Sequence, residues 1–250
     1  YLYNILSLYY HIYYYKKNDL GFTYSKAGTK FKLWSPVAKY VKLELIDLGG
    51  KTLLYDLENR AGGIWRVYLE GDLEGYKYRY LVYVNGKETW VNDPYAKSSN
   101  ANGNYSYIID WQKTYQMKQN PKFSGNLLDA IIYEASIRDF SSDESIAFKH
   151  PKKYLGLIES GQKTKNGLTA GLDYLVELGI THLQLMPFFD FEGIDENNPD
   201  DAYNWGYNPS QYFVPEGSYA SDPNDPYGRI NELKMMIDKL TVQSTTLVVL

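Results

Sequence analysis

The sequence contains no cysteine, so disulfide scaffolds, thiol catalysis and cysteine-ligated zinc are excluded. Histidine is scarce: the three residues His11, His150 and His182 argue against a multi-histidine metal site. Basic residues are not in excess, since 26 lysines and arginines stand against 30 aspartates and glutamates, a net charge of −4. We therefore expect no nucleic-acid partner, because such partners usually require a basic surface.

Motifs of several common enzyme classes are also missing. The chain has no Gly-x-Ser-x-Gly, no Gly-x-Gly-x-x-Gly and no phosphate-binding Gly-Lys-Ser/Thr loop, so serine hydrolysis and nucleotide binding have no support. The apolar-aromatic run Tyr1–Tyr15 is shorter than the about 20 residues of a membrane-spanning helix. It also lacks the cationic start of a signal peptide. We expect no membrane partner, and the compartment stays open between cytoplasmic and secreted.

Aromatic residues, in contrast, are abundant, with 27 tyrosines, 9 phenylalanines and 5 tryptophans. Tyrosine and tryptophan offer flat apolar faces with a polar edge. Two interpretations are open at this point. The aromatic side chains can serve ordinary core packing, or some of them can form a surface that stacks sugars or bases.

Residues 21–110 have the pattern of an antiparallel β domain. Alternating apolar residues predict strands over Tyr40–Asp47 and Tyr76–Val84, and Asn85-Gly86 indicates a hairpin to a strand at Lys87–Val91. Further strands are predicted near residues 30–34, 64–69 and 105–110. This density of short strands and turns favours a β-sandwich. The expected core side chains include Phe31, Trp34, Ile64 and Trp65.

A polar stretch, Trp111–Asn126, is interpreted as a linker, and the pattern changes after it. Short apolar runs alternate with helical patterns in the order Ala130–Tyr133, helix Leu168–Leu178, Ile180–Phe189, helix Tyr227–Leu240 and Thr245–Leu250. This order predicts parallel strand-helix-strand units. The long loop Asp190–Pro226 follows the second strand at its carboxyl end, where α/β barrels place their active sites.

Three parts of the chain resemble known families. Leu33–Pro36 and Asp93–Ala96 resemble carbohydrate-binding module family 48, the β-sandwich that precedes many α-glucan enzymes. Ile132–Ser141 and Gly171–Pro187 resemble the start of the catalytic barrel of glycoside hydrolase family 13. The heptad Tyr203–Pro209 resembles the signature of type I pullulanases, which cleave α-1,6 branches in pullulan, starch and glycogen.

The resemblance implies a multidomain chain of β and α/β class. An immunoglobulin-like β-sandwich would be followed by the first three strands of an incomplete (β/α)8 barrel. The expected segments are a Tyr-rich leader at 1–20, the sandwich at 21–111, the linker at 112–126 and the barrel portion at 127–250. A complete barrel takes about 250 residues, so this portion holds about half of one.

For chemistry, the resemblance implies retaining hydrolysis of α-1,6-glucosidic bonds in the parent enzyme. Its two essential carboxylates lie on barrel strands four and five, with a third after strand seven, and this chain ends near strand three. We therefore predict no catalytic residue and no hydrolysis by the chain alone. No cofactor is expected. A calcium site is not supported either, because six acidic residues of the long loop are interpreted as a solvent-exposed surface. These residues are Asp190, Glu192, Asp195, Glu196, Asp200 and Asp201.

The expected partner is an α-glucan polysaccharide such as pullulan, starch or glycogen. By resemblance, Tyr207 would stack under the sugar at the cleavage subsite, and Asn204 and Trp205 would shape the same wall. Trp205 and Tyr203 can equally well pack the loop. The sixth heptad position is Asn208 where the family usually has aspartate, which replaces a carboxylate by a hydrogen-bonding amide.

Two further residues carry expectations. Trp90 looks like one of the glucan-stacking tryptophans of some family 48 modules, although a second such tryptophan, expected near Lys51–Leu57, is absent. His182 lies in a predicted strand, where a satisfied histidine is a simpler interpretation than catalysis.

Three alternatives stay open. The chain can be a non-catalytic α-glucan-binding protein, supported by the sandwich and Trp90. It can come from a branching enzyme or an isoamylase, which the heptad disfavours. It can also be a non-functional truncated gene product, because the chain lacks an initial Met and Thr241–Thr246 does not match the third barrel strand of the family.

Overall fold

A computed structural model describes residues 12–118, 125–244 and 247–249 of the chain. Residues 1–11 of the predicted leader, part of the predicted linker and three residues of the last apolar run lie outside the described residues. Contacts divide the chain into two compact units, Tyr1–Asp110 and Trp111–Leu250. Among the described residues, no helix combines the length and apolar character needed to cross a membrane.

The first unit consists of strands joined by tight turns. Its strands are β1 (Gly21–Ser25), β2 (Gly28–Trp34), β3 (Tyr40–Ile46), β4 (Thr52–Asp56), β5 (Glu58–Arg60), β6 (Ile64–Glu70), β7 (Lys77–Val84), β8 (Lys87–Val91) and β9 (Ser106–Tyr107). They form two antiparallel sheets, ordered β1-β2-β6-β5 and β4-β3-β7-β8, with β9 paired to β7. The predicted β-sandwich class agrees with this arrangement.

The sandwich core follows from the alternation of each strand. Side chains of β2 and β6 from one sheet meet those of β3 and β7 from the other in a single apolar cluster. Tyr78 and Tyr80, two residues apart on β7, are fully buried there, as the alternating pattern predicts. The hairpin at Asn85-Gly86 is also confirmed, because both residues adopt the positive φ that a tight β7–β8 turn requires.

Trp34 is not in the core, contrary to our prediction. Its side chain is 42% exposed, while Phe31, Ile64 and Trp65 are buried as expected. The reason is the period of two along β2: Leu33 points inward, so Trp34 points to the opposite face. There its Nε1 donates hydrogen bonds to the carbonyls of Tyr13 (2.9 Å) and Gly62 (3.1 Å).

The second unit combines a small parallel sheet with helices. Its strands are β10 (Ile132–Ala135), β11 (His182–Leu185), β12 (Phe189–Phe191), β13 (Pro209–Pro215) and β14 (Leu247–Val249). Its α-helices are α1 (Ile137–Phe140), α2 (Tyr154–Leu157), α3 (Leu172–Leu178) and α4 (Gly228–Ser244). Strands β10, β11 and β14 run parallel in that order, and β12 pairs with β13 antiparallel.

Three sequence predictions in this unit need correction. The helix predicted at Leu168–Leu178 is α3, and it begins at Leu172 rather than Leu168, because Gly171 has a φ of +66° and breaks the helical path. The apolar run Ile180–Phe189 is divided between β11 and β12. The segment Asp190–Pro226 is not one irregular loop, since it contains β13.

Residues 111–118 of the predicted linker lie against α4 within the second unit. The backbone N–H of Tyr115 donates to Asn231 Oδ1 (2.7 Å), and its hydroxyl donates to Asp238 Oδ2 (2.8 Å). The Lys118 N–H donates to Asp238 Oδ1 at 2.9 Å. These bonds fasten the start of the second unit along the helix, so this segment is not a free tether.

Candidate functional site

The heptad Tyr203–Pro209 lies between the paired strands β12 and β13. Strand β12 follows β11 after a short turn that contains Pro187, and β13 begins at the last heptad residue. Pairing of Asp190 with Gln211 and of Phe191 with Pro209 closes the two ends of the segment. The strand pair therefore closes a surface loop over residues 192–208, and the heptad forms the last part of this loop and the first residue of β13.

Gly206 forms the sharp turn at the centre of the heptad. Its φ is +87°, and a Cβ at this position would lie 2.8 Å from the carbonyl oxygen of Pro187. The Gly206 N–H donates to Asn204 Oδ1 at 2.8 Å, which fixes the turn from within. Only glycine combines this backbone conformation with so close an approach of the neighbouring chain.

Two asparagine side chains hold the heptad to the preceding strand segment. Nδ2 of Asn204 and Nδ2 of Asn208 both donate to the carbonyl oxygen of Glu192, at 2.7 Å and 2.9 Å. Asn204 Nδ2 also lies 3.0 Å from Asn208 Oδ1. The amide of Asn208 thus supplies a donor that an aspartate at the same position would lack.

Tyr203 is fixed by two residues that follow β10. Its hydroxyl donates to Asp139 Oδ2 at 2.6 Å, and the Arg138 guanidinium lies 5.5 Å from its ring centroid. The hydrogen bond to the Asp139 carboxylate raises the pKa of the Tyr203 hydroxyl. The carboxyl end of β10 therefore supports the heptad, as expected when parallel strands end at one edge of a sheet.

The structure brings four of the five predicted binding residues together in this loop. Tyr203, Trp205 and Tyr207 remain 53%, 61% and 65% exposed, and Asn204 anchors their backbone. Exposed aromatic faces on an anchored loop can stack on the flat side of a ligand ring.

Trp90, the fifth predicted residue, lies on β8 of the other unit and is 41% exposed. The Arg79 guanidinium lies 4.3 Å from its ring centroid and 4.4 Å from that of Tyr105. Arg79 is thus positioned for cation–π contact with both aromatic rings. It backs Trp90 as part of an ordered stack on the sheet surface.

A buried ion cluster between β12, the turn after β13 and the start of α4 was missed by the sequence reasoning. Arg229, at the start of α4, is completely buried and pairs with Asp190 (3.2 Å) and Glu196 (2.9 Å). Glu216, which follows β13, lies beside them and is also buried. The prediction of a solvated acidic loop is wrong for Asp190 and Glu196. It holds for the other four acidic residues, which are exposed: Glu192, Asp195, Asp200 and Asp201.

The surroundings of the Glu216 carboxyl group shift its pKa strongly upwards. Burial, followed by the nearby charge of Glu196, raises the pKa of Glu216 to about 8. Its oxygens accept hydrogen bonds from the N–H groups of Phe191 (3.1 Å) and Ser218 (2.9 Å). The cluster therefore favours the protonated form of the Glu216 carboxyl group.

The same three carboxyl groups are close enough to hold a metal ion, with oxygens within 4.8 Å of one another. Arg229 supplies positive charge to two of them, and it also donates to the carbonyls of Pro215 and Pro223. Removing one partner of such a buried pair is strongly destabilising. The arrangement therefore acts as an internal clamp that joins β12, the end of β13 and α4.

His182 matches its expectation as a strand histidine. It is buried at the start of β11, and its Nδ1 lies 2.8 Å from the Thr181 hydroxyl.

Comparison with known proteins agrees with this architecture. Residues 19–96 match the family model of carbohydrate-binding module 48, the isoamylase N-terminal domain. The chain is 41% identical over 231 residues to a pullulanase of Bacillus subtilis, covering 91% of this chain and 32% of that protein. It is 34% identical over 246 residues to pullulanase A of Streptococcus pneumoniae, covering 83% of this chain and 18% of that protein. The chain thus spans a third or less of the length of these relatives.

Solved structures agree with the sequence relatives. The crystal structure of a pullulanase from Anoxybacillus sp. LM18-11 matches with a TM-score of 0.93 and 42% identity, covering 96% of this chain and 34% of that one. The same enzyme in complex with maltotriose matches equally well, over 96% of this chain and 35% of that one. Over 91% of its length the chain is thus similar to pullulanases, and residues 19–96 of its first unit match the model of carbohydrate-binding module 48.

Proposed function

We propose that this chain is part of an α-glucan debranching glycoside hydrolase of the pullulanase type. The observation that carries the proposal is the heptad: three exposed aromatic side chains on a loop that is held by the Asp139 carboxylate and the Glu192 carbonyl. An aromatic wall with fixed backing suits an oligosaccharide, because a pyranose ring offers an apolar face to stack and hydroxyl groups to hydrogen bond.

In this proposal Tyr207 stacks under the sugar next to the scissile bond, and Trp205 and Tyr203 line the same wall. The parallel strands β10, β11 and β14 are the first three strands of a (β/α)8 barrel. The heptad then lies at the carboxyl edge of the sheet, where barrel enzymes bind their substrates. Retaining hydrolysis needs two carboxylates about 5–5.5 Å apart, and in our proposal the remainder of the parent enzyme supplies them.

Binding of maltotriose to the 250-residue chain tests the proposed role of Tyr207. We expect Tyr207→Ala to weaken binding about tenfold, the scale of one aromatic contact with its buried area. Tyr212→Ala is the matched control, because Tyr212 is also 65% exposed but lies outside the heptad. Equal weakening by both substitutions, measured by titration calorimetry, would contradict the role.

Catalysis is tested separately with pullulan as substrate. The purified chain is expected to release no maltotriose, because the proposal assigns the nucleophile and the acid/base to residues beyond Leu250. Release of maltotriose that increases with protein concentration would show that these 250 residues contain a catalytic pair after all.

A second candidate function, glucan binding by the first unit alone, is favoured by the exposed stack of Trp90 on Arg79. Retardation in a native gel containing glycogen is expected, and Trp90→Ala should reduce it. Trp111→Ala serves as the control, since Trp111 is similarly exposed (46%) but belongs to the other unit. A mobility shift of undiminished size in Trp90→Ala would eliminate this candidate.

A further inference from the structure

A cavity of about 390 Å³ opens in the second unit beside the heptad. Its walls come from the segment after β10, from the start of α2 and from the region between β12 and α4. Its volume lies within the range of small-molecule sites, roughly 300–1,000 Å³. The predicted sugar-binding residues Tyr203, Trp205 and Tyr207 do not line it, so its chemistry is separate from theirs.

The lining of this cavity is strongly basic. Four cationic side chains, Arg138, Lys149, Lys152 and Lys153, face a single acidic side chain, Asp200. Lys152 Nζ lies 2.8 Å from Asp200 Oδ1, and Arg138 Nη2 lies 3.3 Å from the same oxygen. The Lys152 hydrogen bond, with the charges of Lys152, Arg138 and Lys153, lowers the pKa of the Asp200 carboxyl. One exposed carboxylate thus offsets only part of the positive charge.

Two of the lysines are held in place by the fold. Lys152 has a φ of +64°, a strained conformation for a residue with a side chain, and its N–H donates to the buried Ser141 hydroxyl at 2.8 Å. The Lys153 ammonium donates to the Ser218 carbonyl at 2.8 Å. Burial lowers its pKa, while the charges of Glu232, Asp200, Glu216 and Glu196 act in the opposite direction. Backbone strain like that of Lys152 is typical of functional sites, where it holds a side chain in place for binding.

Arg138 joins this cavity to the heptad. Its guanidinium donates to the carbonyls of Pro199 (2.8 Å) and Ala202 (2.9 Å), and it lies over the Tyr203 ring. A ligand bound to Arg138 would therefore lie next to Tyr203, a residue of the proposed sugar wall.

We propose that this cavity binds a phosphate monoester, with the phosphate group between Lys149, Lys152 and Arg138 and the esterified sugar in the remaining volume. Phosphate oxygens accept several charge-assisted hydrogen bonds at once, which lysine and arginine supply. The sugar portion rests on the proposed function, whereas the phosphate portion does not. The ester can come from a free sugar phosphate or from a phosphorylated glucose unit within an α-glucan.

The test is calorimetric titration of the 250-residue chain with inorganic phosphate, sulfate, glucose 6-phosphate and a maltotriose phosphorylated at one 6-hydroxyl. We expect inorganic phosphate to bind and glucose 6-phosphate to bind more tightly. Tighter binding of the phosphorylated maltotriose than of glucose 6-phosphate assigns the glucan as the source, and the reverse order assigns the free sugar phosphate. Absence of phosphate binding, or glucose 6-phosphate binding no tighter than sulfate, overturns the proposal.

Three variants that change the charge of the cavity, and one control variant outside it, sharpen this test. Lys152→Met is expected to weaken glucose 6-phosphate binding about tenfold, and Lys149→Met should weaken it less. Asp200→Asn should tighten binding about threefold, because it removes the carboxylate that competes for Lys152 and Arg138. Lys165→Met, an exposed lysine outside the cavity, should change nothing.

Weaker binding by Asp200→Asn, or an equal loss in Lys165→Met, would refute an anion site. Lys149 is exposed, so Lys149→Met removes a positive charge without changing the strained position Lys152. Thermal unfolding of each variant checks that it is folded. Maltotriose binding is measured in parallel. Its loss with phosphate binding retained would overturn the proposed function alone, and the converse would overturn this inference alone.

Discussion

Asn208 shows how one atom decides the local structure of the heptad. Its Nδ2 donates to the Glu192 carbonyl, and its Oδ1 lies near Asn204 Nδ2, so both ends of the amide are used. An aspartate would still accept the hydrogen bond from Asn204 Nδ2. Its second oxygen, however, would face the Glu192 carbonyl oxygen without a hydrogen between them. The departure from the family pattern at this position therefore adds a hydrogen bond to the loop.

Asn208→Asp is accordingly expected to destabilise the second unit by about 1 kcal/mol, the net worth of one partly exposed hydrogen bond. Asn208→Ala, which removes both contacts, should cost more. Urea unfolding of the two variants measures the difference. A stability of Asn208→Asp equal to or above that of the original chain would contradict this role of the amide.

Glu216 makes the stability of the second unit depend on pH. Its pKa in the folded chain is about 8, well above the ordinary value of 4.5, so the folded chain holds this proton more tightly than the unfolded chain. The stabilisation is complete below pH 4.5 and is lost as the pH rises towards 8. The loss amounts to a few kcal/mol in total, since one pKa unit corresponds to about 1.4 kcal/mol.

Glu216→Gln should flatten this dependence, because the amide carries no charge at any pH. The midpoint of thermal unfolding, followed between pH 5 and pH 8, is the measurement. Glu192→Gln, in an exposed position of the same segment, is the control and should keep the original slope. Identical slopes for Glu216→Gln and the original chain would refute the assignment of the buried proton.

At the scale of elements, the clamp between strands and helix depends on a glycine. Gly217 follows Glu216 in a 3-10 turn, its N–H donates to Glu196 Oε1 at 3.0 Å, and a Cβ on it would overlap Glu196 and Arg229. Both ion-pair partners are buried, so they have little room to move. The turn after β13 can therefore approach α4 only without a side chain.

Gly217→Ala is expected to destabilise the second unit by about 1–3 kcal/mol, the cost of overpacking a dense interior. Gly49→Ala, in a surface turn of the first unit where a Cβ meets only the Asp47 side chain, should change stability by less than about 1 kcal/mol. Chemical denaturation compares the two. A neutral effect of Gly217→Ala would show that the ion cluster can yield and is not a rigid clamp.

At the scale of the whole molecule, the described residues form two separate apolar cores. One core joins the two sheets of the first unit, and the other gathers side chains of β11, α3 and α4 in the second. Each core has its own fully buried leucines, such as Leu43 on β3 and Leu183 on β11. Stability is therefore a property of each unit.

Leu43→Ala and Leu183→Ala should each destabilise its own unit by about 2–5 kcal/mol. Differential scanning calorimetry is expected to show two transitions, one lowered by Leu43→Ala and the other by Leu183→Ala. A single transition that both substitutions shift equally would contradict the division into two cores.

The local pattern of the sequence was sufficient for many of the strands. Period-two alternation located β3 and β7 and placed Tyr78 and Tyr80 inside, because the pleat alone decides which face a side chain occupies. The same rule shows why the prediction for Trp34 was wrong. Its size suggested burial, but it is adjacent to the inward-facing Leu33, and neighbouring residues of a strand point to opposite faces. The helix start at Leu172 was missed because the backbone of Gly171 overrides the apolar spacing that begins at Leu168.

The sequence by itself determined the family resemblance, the alternation of the sandwich strands and the exposed aromatic heptad, since each of these is encoded within a few neighbouring residues. Tertiary structure alone decided the burial of Asp190, Glu196, Glu216 and Arg229 and the convergence of basic side chains around Asp200. Arg229 and Asp190 are 39 positions apart, and Lys152 and Asp200 are 48 apart. Charges that far apart in the chain come together only when the chain folds. Packing then removes water from the Arg229–Asp190 pair and leaves the Lys152–Asp200 pair at a cavity wall, and these different surroundings decide how strongly each pair interacts.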